Sequence, residues 1–159
     1  MRPLPKHMRR RRRYLAVRLG CPLDATLDAR AVQDAVWQTA RRIGGATLSA
    51  QTDLRVMRLE SAPGEAVAIV RTPHAAVTQA RGVLAAVDAV VTTPVAPRVI
   101  GTCGTIAACE ERYMNHDTRA VDERDVAFDS QTRAAFVRGA QVDIVGPSGD
   151  IGATRLDLE

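Results

Sequence analysis

Asp53-Leu-Arg-Val-Met-Arg-Leu-Glu60 and Glu65-Ala-Val-Ala-Ile-Val-Arg71, joined by Ser61-Ala-Pro-Gly64, decide how this chain folds. Two apolar-rich runs separated by a short Pro-Gly segment make an antiparallel hairpin. On its N-terminal side, Tyr14-Leu-Ala-Val-Arg-Leu19 alternates. Leu15, Val17 and Leu19 share one face and Tyr14, Ala16 and Arg18 the other, the pattern of a half-buried strand. Cys21-Pro22 ends it, and Asp28, or Thr26, caps a helix over Ala29–Ile43. Val32, Val36, Ala40 and Ile43 form its apolar stripe, and Gly44-Gly45 is the expected stop.

On the C-terminal side, Pro73 suits the first turn of a second helix, on which Val77, Ala80, Leu84 and Val87 share one face. Val90–Thr93 reads as a connector and Val95–Thr102 as a fourth strand. Its flanking and internal prolines, Pro94 and Pro97, place it at a sheet edge or a bulge. A third helix begins near Gly104-Thr105, with Ile106, Cys109 and Tyr113 inward. The order β-α-β-β-α-β plus a helix predicts an α+β, ferredoxin-like or RRM-like split β-α-β fold with an additional C-terminal helix. Two helices on one face leave the other face and one edge needing cover. Ala16, Ala96 and Ile100 are the expected apolar surface there, and Arg98–Tyr113 the expected docking region for a partner protein.

The chain has 159 residues, 46% apolar and 25% charged, enough for one globular core with appended termini. No apolar run approaches the roughly 18–20 residues that span a bilayer, and no apolar segment of a secretory signal follows the N-terminus. Three cysteines in no metal-binding spacing fit a reduced, cytoplasmic protein without a membrane role.

Charge divides the chain further. Residues 1–13 carry seven basic groups and no acid, residues 14–116 ten basic and nine acidic groups, and residues 117–159 five arginines against nine acids. A flexible basic arm (1–13), a neutral body (14–116) and an acidic tail (117–159) are the expected regions. In the tail, Ser130 is expected to cap a short helix through Arg138, stopped at Gly139. A turn at Gly146-Pro147-Ser148-Gly149 and a mobile end then follow, without a second core. Arginine supplies 21 of the 22 basic groups and Asp outnumbers Glu twelve to six, a bias of GC-rich genomes that hints at a halophile.

Catalytic constellations are scarce. His7, His74 and His116 form no ligand spacing, and Cys103 and Cys109 match no metal pattern, so neither a catalytic residue nor a metal site is expected. Cys109 reads as core filler, and adjacent Glu110-Glu111 as solvated or salt-bridged. Thr102-Cys103-Gly104-Thr105 admits two readings. Small residues at a helix start let backbone N–H groups approach an anion or partner through Thr102, Gly104 and Thr105. Alternatively, threonine simply caps the helix after a tight turn, which the spacing favours.

The basic arm is the strongest compositional signal. Arg9, Arg10, Arg11, Arg12 and Arg13 place five guanidinium groups within about 17 Å of extended chain, suited to successive phosphates. With Lys6 and Tyr14 they are the expected residues for binding RNA or DNA; a solubility tail or targeting signal is the alternative. Glu65–Arg71 has no aromatic residue, so RNA would be held through phosphates, 2′-hydroxyls and shape rather than base stacking.

Two segments resemble a known family. Leu4-Pro-Lys-His-Met-Arg-Arg-Arg-Arg-Arg-Tyr-Leu-Ala-Val17 is similar to the N-terminal signature of the archaeal ribonuclease P protein component 2 family. Val99-Ile-Gly-Thr-Cys-Gly-Thr-Ile-Ala-Ala-Cys-Glu-Glu-Arg-Tyr113 is similar to its C-terminal signature, G-x-S-G-T-I-x-A-C-E-E. The resemblance covers residues 3–114. Cys103 stands where that family has serine and Ala107 where a basic residue is common, while the tail matches no familiar motif.

The resemblance implies a protein subunit of a ribonucleoprotein that removes 5′ leaders from precursor tRNA. The partners it implies are the ribonuclease P RNA, other ribonuclease P protein subunits and, indirectly, precursor tRNA. Chemistry would rest with the RNA and its Mg²⁺, and the protein would bind no cofactor. The competing classes are a small-molecule-binding domain of ferredoxin-like fold and an interaction scaffold, neither with an RNA role. Salt-dependent binding to structured RNA separates the first reading from both.

Overall fold

The computed structural model describes residues 4–114, 122–138, 141–147 and 149–158. They form two compact units, 1–115 and 116–159. The first unit holds β1 (Arg12–Gly20), α1 (Ala29–Thr52), β2 (Arg55–Ala62), β3 (Glu65–Pro73), α2 (Val77–Ala85), β4 (Ala89–Val90), β5 (Thr93–Pro94), β6 (Ala96–Cys103) and α3 (Ile106–Tyr113). Its main sheet runs β2-β3-β1-β6 with every neighbouring pair antiparallel, which is the expected split β-α-β plan. β6 lies at the edge, as its prolines require, with Pro97 in regular register opposite Leu19; the pairing with β1 slips further on, at Ala16/Val17, where Ile100 is the extra residue. The expected connector at 90–93 is the tip of the small β4/β5 hairpin.

β1 alternates as its sequence dictates. Leu15, Val17 and Leu19 join Val32, Val36, Ala80 and Leu84 in the core beneath α1 and α2. In β3, Ala66 through Val70 are buried without a break, because this central strand is covered on both faces. Helix α1 starts where Asp28 Oδ2 accepts hydrogen bonds from the Arg30 and Ala31 amides, each at 3.1 Å. The expected stop at Gly44-Gly45 is instead a kink. Gly45 takes φ +66°, and helix resumes as far as Thr52. The chain leaves through Asp53 in the left-handed region, and Gln33 then clamps β2. Its amide donates to the Leu54 carbonyl at 2.9 Å while its Oε1 accepts from the Val56 amide at 2.7 Å.

The second face of the sheet is not open. α3 folds over it, and Ala16, Val67 and Ile69 pack with Cys103, Cys109 and Met114. Ala16 is fully buried, which corrects its expected place on an exposed docking surface; Arg18 is ion-paired with Glu65 at 3.0 Å. The close approach of α3 depends on Gly101, where a Cβ would overlap the Tyr113 hydroxyl.

The second unit corrects the helical reading of the tail. β7 (Asp122–Phe128), β8 (Gln131–Arg138), β9 (Gln141–Gly146) and β10 (Gly149–Thr154) form an antiparallel sheet in the order β10-β9-β8-β7. Asp129 and Ser130 both adopt positive φ, at 52° and 59°, and form the two-residue turn of the β7/β8 hairpin. Beyond them the residues alternate. Ala135 and Val137 are buried with Val126, Val142 and Ile144 in this unit's own core, so period two prevails over the helical spacing. The expected stop at Gly139 and the Ser148 position of the expected turn lie outside the described residues, as does the expected boundary at 116/117.

Candidate nucleic-acid interface

The basic segment divides by environment. Pairing of Arg12 with Pro73 and of Arg13 with Thr72 draws both arginines into β1, so the strand begins at Arg12 rather than Tyr14. Arg12 donates to Asp53 Oδ2 at 2.8 Å, tying β1 to the end of α1. That hydrogen bond, with the nearby positive charges of Arg12 and Arg55, holds the Asp53 carboxyl below its ordinary value; partial burial opposes the shift. Arg55 also stacks over Trp37, 5.3 Å from the ring centre.

The other cations remain available. Among the described residues, no carboxylate pairs with Arg10, Arg11 or Arg13. Arg9 donates from Nε to the Leu4 carbonyl at 2.9 Å, and Lys6 lies in an exposed 3-10 turn, Lys6–Met8. Arg11 is fixed by its backbone, whose carbonyl accepts from the His74 amide at 2.9 Å. Arg10 and Arg11 therefore line a depression of about 590 Å³ together with Gln51 and His74.

Arg13 meets the second candidate segment. Antiparallel pairing sets Tyr14 against Cys103 and Leu15 against Thr102. This brings an Arg13 guanidinium nitrogen to Gly104, so close that a Cβ there would lie 3.2 Å from it. Thr105 caps α3, its Oγ1 accepting from the Ala108 amide at 3.2 Å. Capping thus accounts for Thr105, while Arg13 adds a cation beside the exposed Thr102 and Gly104 that spacing alone did not disclose. Tyr14 packs into the cluster under α3 instead of standing on an open sheet face, and its carbonyl accepts a contact from Cys109 Sγ at 3.6 Å.

The remaining candidates are structural. Cys109 is fully buried; burial and the neighbouring Cys103 push its thiol up to about 12, so it is inert filler. Glu110 is bound by Arg58 at 2.8 Å, fastening α3 to β2, which disposes of a paired-carboxylate site. Among the described residues, no three His, Cys, Asp or Glu side chains converge as metal donors. No described helix is long and apolar enough to cross a membrane.

A family model for the Rpp14/Pop5 family matches residues 13–114, from the first unpaired arginine of β1 to the end of α3. The chain belongs to the Rpp14/Pop5 family. Its curated relatives include "Ribonuclease P protein component 2" of Halorubrum lacusprofundi, 42% identical with the whole of both chains aligned. The proteins of that name from Haloarcula marismortui and Natronomonas pharaonis are 40% and 39% identical, covering 99% of this chain and 99% and 98% of theirs. The resemblance read from the two signature segments is thereby borne out, and it extends further than those segments. The alignments with these Rpp14/Pop5 relatives run through the C-terminal unit as well, although the family model stops at 114.

Gln51, His74 and Gln79, which share the depression with the arginines, had no signal in the sequence. Gln51 lies beyond the Gly44-Gly45 kink, in helix that the two glycines conceal.

Proposed function

We propose that this protein is an RNA-binding subunit of ribonuclease P that assists the catalytic RNA in removing 5′ leaders from precursor tRNA in the cytoplasm. The observation that carries the reading is the full-length match to relatives named ribonuclease P protein component 2. The unpaired guanidinium groups of Arg10, Arg11 and Arg13 support it physically. Such groups release counterions from an RNA backbone on binding, and this term dominates affinity for nucleic acid. Arginine suits the task because its planar fork meets two phosphate oxygens at once.

The protein supplies no catalytic group in this account. Phosphodiester hydrolysis belongs to the RNA, whose own phosphates hold the Mg²⁺ ions; hard oxygen donors are what that ion prefers. The protein's part is to neutralise backbone charge where RNA strands approach and, with other protein subunits, to hold the active RNA fold. Binding to structured RNA with a steep dependence on salt tests the reading. Salt-insensitive binding, or none, would favour a scaffold or small-molecule domain.

A further inference from the structure

The depression beside the basic segment is lined by two chemically different sets of side chains. Arg10 and Arg11 supply cations. Gln51, from the end of α1, and Gln79, from α2, supply neutral amides, and Pro73 and His74 complete the lining between β3 and α2. Gln33 on the same helix α1 is consumed by two backbone hydrogen bonds, whereas the Gln51 and Gln79 side chains are exposed and, among the described residues, engage none. The frame around them is fixed. The His74 amide bonds the Arg11 carbonyl at 2.9 Å, and Thr72 Oγ1 donates to the Thr52 carbonyl at 2.8 Å where α1 ends beside β3.

A cavity of about 590 Å³ is of ordinary ligand size. That volume can hold one nucleotide. A carboxamide presents a donor and an acceptor side by side, the pattern that matches a base edge. In a paired RNA base the Watson–Crick edge is occupied by its partner and the other edge lies in the deep, narrow A-form major groove, so only an unpaired base offers either to a side chain. Among the described residues no Phe, Tyr or Trp lines the depression, so edge recognition rather than stacking on such a ring is what it can provide.

We propose that this groove takes one unpaired nucleotide of an RNA, the phosphates on its two sides held by Arg10 and Arg11 and its base edge read by Gln51 and Gln79. The inference rests on the RNA-binding reading above and adds to it a feature that charge alone cannot give, discrimination between unpaired and paired positions.

The test uses the full chain and two RNA hairpins of equal length, each closed by a non-nucleotide linker so that no loop base is unpaired, one fully paired and one with a single bulged adenosine, compared by fluorescence anisotropy at fixed salt. The wild type should bind the bulged hairpin about tenfold more tightly, the scale of one good bidentate base contact. Gln51→Ala/Gln79→Ala, both exposed positions, should lose that preference and keep the affinity for the paired hairpin. Adenosine monophosphate should compete for the bulged hairpin on the wild type, which shows that the nucleotide itself is the ligand, while inorganic phosphate should compete far less.

Equal binding of the two hairpins by the wild type, or a preference that survives in the double variant, overturns the inference. So does equal competition by phosphate, which would mean that no base is read. Displacement by a poly-glutamate peptide but not by the mononucleotide overturns it in favour of a protein occupant. Loss of salt-dependent binding to both hairpins is a different failure, since it removes the RNA-binding reading itself and this inference with it.

Discussion

Replacing Arg10, Arg11 and Arg13 together with alanine removes three guanidinium groups that have no carboxylate partner among the described residues. Each phosphate contact contributes roughly 0.7–0.9 to the slope of log affinity against log salt, so the triple variant should be shallower by about 2 to 2.7. Between about 1 M and 0.1 M salt that difference amounts to roughly a 100- to 500-fold weaker complex at the low-salt end. Arg12 is the internal control. It belongs to the same run of five arginines, but its guanidinium is bonded to Asp53 at 2.8 Å, so Arg12→Ala should alter the slope by less than about 0.5. The assay is filter binding or anisotropy with a structured RNA across a salt series, with circular dichroism to verify the fold. An unchanged slope in the triple variant, or a larger change in Arg12→Ala, would refute the division of the segment into structural and RNA-facing arginines.

Asp53→Asn tests the Arg12 ion pair from its other side. The folded carboxyl titrates below its ordinary value of 3.8, so the unfolded chain binds more protons in acid. The stabilisation is present above the unfolded pKa and is lost as pH falls through the folded one. Urea unfolding should therefore show the wild-type advantage over Asp53→Asn at pH 7 and its progressive loss as pH falls below 3.8, and an advantage that grows in acid would contradict the pairing. Gly101→Ala should destabilise the first unit by about 1–3 kcal/mol through overlap with Tyr113. The cost should shrink in a Tyr113→Ala background; additive effects in that double-mutant cycle would show that α3 does not rest on this contact. Cys109, fully buried with its thiol pushed up to about 12, should resist alkylation at pH 8 in the folded protein and react once urea is added. Rapid native labelling, located by peptide mass, would place it elsewhere.

Much of the first unit is legible in its residues because local and tertiary preferences agree. The alternation of Leu15, Val17 and Leu19, the Asp28 cap and the edge prolines each state a structural requirement that the fold meets. Where the reading stopped short, a longer-range partner decided. Arg12 and Arg13 read as part of a free arm, since nothing in the run itself announces that Pro73 and Thr72 extend the ladder beneath them. Gly44-Gly45 carries the composition of a helix end, yet the helix resumes beyond the kink, and Gln51 lies in that resumed stretch.

The Ser130–Arg138 stretch fits a helical stripe and an alternating strand equally well. The positive-φ pair Asp129-Ser130 and the facing strands β7 and β9 settle it as sheet, and neither Asp nor Ser is the glycine that usually signals such a turn. Burial of Ala16 under α3 was likewise invisible, because it depends on Gly101 admitting the Tyr113 ring from across the strand-to-helix turn. The candidate interface was visible in charge but not in division. Asp53, which removes Arg12 from it, and Gly104, which brings Arg13 to the start of α3, lie far away in sequence.

The central claim, that this protein serves a catalytic RNA through its unpaired cations and does no chemistry itself, is tested most directly by reconstitution. The Mg²⁺ requirement for precursor-tRNA cleavage by the cognate ribonuclease P RNA would be measured with and without this protein and its partner subunit. The account predicts a several-fold lower Mg²⁺ midpoint with wild-type protein, loss of most of that shift with the Arg10, Arg11 and Arg13 triple variant, and no cleavage by protein free of RNA. An unchanged Mg²⁺ midpoint, or site-specific cleavage by the RNA-free protein, would contradict it.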